Sequence, residues 1–73
     1  MKIIKSFRSQ DKTKTANVVL SDEILIVEFY HQGHCVGEIE YPDKSYHYVA
    51  DAAENWCTGI LTKETLNHYK RVA

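Results

Sequence analysis

The sequence predicts an α+β fold, a four-stranded antiparallel sheet with two C-terminal helices on one face, in the order ββββαα. Three observations carry this expectation. Residues 1–41 read as short β-prone runs separated by polar turns, and after Ser45 the apolar period changes from two to 3.6. Gly59 then stands where a helix stops, and Thr62 stands where another can start. A chain of 73 residues is one domain, residues 1–73, near the lower size at which a hydrophobic core alone offsets chain entropy.

Lys2 to Ser9 alternates loosely and suits an edge strand, with lysines that discourage edge-to-edge pairing. Ile3 and Ile4 compete for the core, so the register of this strand stays open. Gln10–Lys14 is a polar turn, Asn17–Leu20 a second strand and Ser21–Glu23 a second turn. Ile24–Tyr30 is the most β-prone segment and suits a central strand. His31–His34 has the length and the glycine of a hairpin loop, and the chain returns through Cys35–Tyr41. Pro42 ends that strand because it has no N–H to donate to a ladder. A meander and a rearranged sheet read alike at this level.

From Tyr46 the apolar residues Val49, Ala52, Ala53, Trp56, Cys57 and Ile60 form one helical stripe, with Ser45 as N-cap. Thr62 caps a last helix, Lys63–Val72, with Leu66 and Tyr69 facing inward. His47 and Tyr48 fall outside the stripe, near the helix start.

Two helices of this length cover one face of the sheet. Strand alternation places Leu25, Val27, Phe29 and Ile39 beneath them and sends Ile24, Ile26, Tyr30 and Val36 to the other face, rimmed by Glu28, Glu38 and Glu40. An apolar centre with an acidic rim is the pattern of a contact surface, so these seven residues are the candidate partner-binding set.

The formal charge of −1 hides a segregation. Residues 1–15 hold Lys2, Lys5, Arg8, Lys12 and Lys14 against Asp11, a net +4, whereas residues 16–62 hold eight acids against Lys44, a net −7. The five basic residues are the alternative, nucleic-acid-binding set, less favoured because phosphate contacts need a coherent basic face. There is no apolar run of membrane-spanning length and no leader-like start, which points to a cytoplasmic protein with no membrane partner. Two cysteines in so small a chain read as reduced packing thiols.

No residues are assigned to catalysis, metal or cofactor. His31-x-x-His34-Cys35 has metal-ligand residue types, but alternation sends His34 and Cys35 to opposite faces. Cys57 with His47 or His34 has the types of a nucleophile pair, but Cys57 lies on the apolar stripe. Glu38 and Glu40 share a strand face without a pocket to split their acidities, and the three glycines are too scattered for a phosphate loop.

Gly33-His34-Cys35-Val36-Gly37, the acidic strand end after it, and Glu54-Asn55-Trp56-Cys57-Thr58-Gly59 resemble the second half of phage-encoded type I-F anti-CRISPR inhibitors of ββββαα topology. More broadly, the chain resembles small accessory proteins of tailed phages. The resemblance spans Gly33–Gly59 and implies the topology and a phage inhibitor acting in the host cytoplasm; it assigns no binding residue. The expected function is a non-enzymatic accessory protein that binds a host protein or defence complex through its open sheet face and acidic patch. A homodimer joined through that face is the remaining alternative.

Overall fold

The computed structural model describes residues 2–70, with side chains described as far as Leu66. Four strands, β1 (Lys2–Arg8), β2 (Lys14–Ser21), β3 (Ile24–His31) and β4 (His34–Tyr41), precede α1 (Tyr46–Thr58) and α2 (Lys63–Lys70). The sheet is antiparallel in the order β1-β2-β3-β4, so every strand pairs with its neighbour in sequence. The expected ββββαα fold is the one observed, and the open question of strand order resolves to a meander.

The strands run further into the polar segments than their apolar residues indicate. β2 starts at Lys14, and the β2–β3 and β3–β4 connections shrink to Asp22-Glu23 and Gln32-Gly33. Both residues of each connection have positive φ (50° and 66°, then 51° and 83°), which matches the right-handed twist of the flanking strands. The β1–β2 turn is held differently. The Asp11 carboxylate accepts from the Ser9 hydroxyl at 2.7 Å and from the Thr13 amide and hydroxyl at 3.0 and 2.8 Å. Those three donors hold its pKa well below the usual carboxylate range, at about 2.

Both helices start on the expected caps. The Ser45 hydroxyl accepts from the Tyr48 amide at 3.3 Å, and the Thr62 hydroxyl from the Thr65 amide at 3.4 Å. α1 stops at Gly59, whose φ of 91° an L side chain adopts only with strain. That reversal ends the helical period, so Ile60 is not part of the buried stripe: it is 74% exposed, and Leu61 packs against the core in its place. Tyr46, also expected on the stripe, is exposed at the first turn. Tyr69 and Val72, expected in the last helix, lie outside the residues whose side chains are described.

The core lies between one sheet face and the helices. Ala16, Val18, Val27, Phe29 and Ile39 meet Val49, Ala53 and Trp56 of α1 and Leu66 of α2. Trp56 packs edge-on to Phe29, with centroids 5.6 Å apart, and donates its indole N–H to the Tyr30 carbonyl at 3.0 Å. Lys14 lays its ammonium 5.0 Å above the same indole, so its stem lies on this side. Truncating a buried aromatic of this kind costs about 3–5 kcal/mol. No buried side-chain polar atom lacks a partner among the described residues.

Two register shifts correct the expected faces. In β4 the partner of Phe29 is Gly37 and that of Tyr30 is Cys35, so Val36 is the extra residue of a bulge. Val36, expected on the open face, packs against the core instead, and Cys35, expected to be buried, is exposed beside Tyr30. In β1 the shift falls between Ile3 and Lys5. The competition between Ile3 and Ile4 ends with neither in the core, at 58% and 43% exposure.

Candidate binding face

Directly opposed residues of antiparallel strands share a face, so the register lists the surface turned away from the helices. One row runs Ile3, Val19, Ile26, Glu40; the next runs Ser6, Asn17, Glu28, Glu38; the third runs Arg8, Thr15, Tyr30, Cys35. Ile24 lies beyond the first row, opposite Ser21.

Ile24, Ile26, Glu28 and Tyr30 are half-buried, while Glu38 and Glu40 are exposed. Val19 is 1% exposed although it faces away from the helices, between its register neighbours Ile3 and Ile26. The apolar part is therefore a strip across β1, β2 and β3, and the acids do not ring it. They gather at one flank, on β3 and β4. Of the seven residues expected on this face, six are brought together and Val36 is removed by the bulge.

Glu28 and Glu38 are direct cross-strand partners, an arrangement of like charges that works against the fold. Their field reaches Tyr30, whose hydroxyl acidity is weakened first by the Glu28 charge, then by partial burial, with smaller contributions from Cys35, a hydrogen bond to Glu28 and the Glu38 charge. The one basic residue in these rows is Arg8, two strands away from Glu28 in the neighbouring row.

The alternative basic set is not gathered. Arg8 lies in an open-face row, Lys5 lies in the Val18 row with its ammonium 5.7 Å from the Phe7 ring, Lys14 covers Trp56, and Lys12 sits in the β1–β2 turn. Lys2 pairs with Leu20, in a row that continues to Leu25 and Tyr41 on the helix side.

Sequence reasoning missed Ile3, Val19 and Arg8 on the open face. The adjacent Val18 and Val19 carry no polar alternation to tell which one faces the helices; pairing with β3 decides it. Elsewhere, a groove of 490 Å³ separates α1 from the end of β4, between Tyr41, Tyr48, Asp51 and Ile60. Cys57 is half-buried, its thiol pushed up by burial and 3.9 Å from the Lys14 carbonyl, which makes it a poor nucleophile. Among the described residues, no group of three His, Cys, Asp or Glu side chains is placed to hold a metal, and no helix is long and apolar enough to cross a membrane.

No family model, curated protein or solved structure matches this chain.

Proposed function

We propose that the chain is a non-enzymatic binding protein whose open sheet face takes a basic surface of a partner protein. The observation that carries this reading is the direct pairing of Glu28 with Glu38, beside Glu40 and Tyr30, on a face with Arg8 as its one basic row member. Like charges held opposite each other cost stability, and a cationic partner turns that cost into attraction. The half-buried Ile26 and Tyr30 give the same face an apolar anchor.

In the phage setting that the sequence resemblance implies, the partner is a host protein or defence complex, engaged at the basic surface it uses for nucleic acid. That part of the proposal rests on the resemblance alone. Charge also ranks the alternatives. A face that carries Glu28, Glu38 and Glu40 repels a second copy of itself, and the scattered Lys2, Lys5, Arg8, Lys12 and Lys14 offer nucleic acid no common surface.

The test is a titration with an oligo-arginine peptide, read by the amide and side-chain resonances of β3 and β4. Binding should centre on Glu28, Glu38 and Glu40, weaken roughly tenfold from low to physiological ionic strength, and weaken again in the Glu38→Gln, Glu40→Gln double variant. Retardation of DNA or RNA at low salt without peptide binding, or a native mass of two chains, would favour the other readings.

A further inference from the structure

We infer that the groove between α1 and the end of β4 is a second binding site, and that its guest is a lysine side chain of a partner protein, which takes the place of Lys44. The site lies on the helix side of the sheet and stands independently of the acidic face.

Tyr48 falls outside the apolar stripe of α1, and the fold gives it an aromatic neighbour instead. The Tyr41 and Tyr48 rings are inclined at 64° with centroids 5.9 Å apart, so the pair offers π surface in two directions. Lys44, in the β4–α1 connection, lays its ammonium 4.9 Å over the Tyr48 ring. A cation therefore already rests on this aromatic surface. Asp51, three residues after Tyr48 on α1, adds a carboxylate to the lining, while Ile39 and Leu61 add apolar surface. At 490 Å³ the groove falls within the roughly 300–1,000 Å³ of ligand sites.

These features match the two parts of a lysine side chain. Its methylenes suit the apolar lining, and its ammonium suits a ring face with a carboxylate beside it. Lys44 meets that chemistry only in part. Among the described residues no ion pair joins it to Asp51, whereas a side chain that does not belong to the β4–α1 connection can take ring and carboxylate together. Among the described residues Lys44 is also the one basic side chain in the lining, so turning it out to solvent leaves Asp51 to set the charge of the site. Lys44 is exposed, and its contact with the ring is the one a guest would replace. It acts as a tethered competitor, lowering the guest's affinity by the fraction of molecules in which it covers Tyr48. Ile60, 74% exposed in the same lining, gives the partner an apolar contact next to its lysine.

The experiment titrates the protein with three end-blocked pentapeptides that differ only at the central residue, which is lysine, norleucine or glutamate. The readout is the ring resonances of Tyr41 and Tyr48 and the methyl resonances of Ile60. Under this inference the lysine peptide moves all of them, and the uncharged norleucine peptide binds roughly fivefold more weakly or worse. Lys44→Gln, which removes a like charge and the competitor, should tighten the lysine peptide by roughly threefold, and Asp51→Asn should loosen it by a similar factor. The Glu38→Gln, Glu40→Gln double variant should bind it as wild type does. Norleucine binding as well as lysine would overturn the inference in favour of a purely apolar groove, and preference for glutamate would make Lys44 an anion contact. No shift with any peptide, or no tightening in Lys44→Gln, also overturns it. Loss of binding in the double variant would assign the signal to the sheet face and overturn it too.

Discussion

Asp11 illustrates how one side chain organises a turn that has no glycine. Three donors converge on its carboxylate from Ser9 and Thr13, and Lys12 beside it adopts a φ of 64°. Its pKa is lowered in the folded chain from 3.8 to about 2, so its contribution to stability is fully present above the unfolded value and is lost as pH falls through the folded one. Wild type should therefore melt above Asp11→Ala at pH 5, and the gap should close as the pH is lowered toward 2; melting curves across that range check it. A gap independent of pH would mean that turn shape, not the carboxylate charge, holds the hairpin. Trp56 acts over a longer reach, since its indole ties α1 to the Tyr30 carbonyl at the position where β4 bulges. The side chain that seals the core thus also sets the backbone under the binding face.

At the scale of elements, the hairpin turns show where the fold carries local strain. Glu23 sits at φ 66°, a left-handed conformation that costs a residue with a Cβ about 1–2 kcal/mol relative to glycine. Glu23→Gly should stabilise the protein by about 0.5–1 kcal/mol in denaturant melts, the gain being reduced by the extra freedom of glycine in the unfolded chain. No change would indicate that the turn relaxes around Glu23 without strain. The β4 bulge has a different consequence. By inserting Val36 it exchanges the faces of Val36 and Cys35, moving an aliphatic side chain to the core and a thiol to the solvent side. Val36, assigned to the open face, and Cys35, read as a packing thiol, were both misplaced, because alternation has no record of an inserted position.

For the molecule as a whole, the notable feature is a fold that holds its acids together where stability alone would separate them. Replacing Glu38 by Gln removes the repulsion with Glu28 and should raise unfolding free energy by about 0.5 kcal/mol while weakening binding to basic peptides. A variant that loses stability would show that the Glu28–Glu38 pair is held by contacts outweighing its repulsion, and would remove the main support for a binding role. The opposed signs on stability and binding distinguish a functional surface from a solvated one. What the chain order alone disclosed was considerable: strand after strand, the two cap residues Ser45 and Thr62, the stop at Gly59, and the helix-side faces of Leu25, Val27, Phe29 and Ile39. These follow from interactions among residues close in sequence and from a period that one buried face imposes. Only the folded sheet decided that Val19 lies on the open face, that Val36 leaves it, that Glu28 meets Glu38, and that the five basic residues scatter. Each of those depends on register, which is set by pairing between strands and is altered by a single inserted residue.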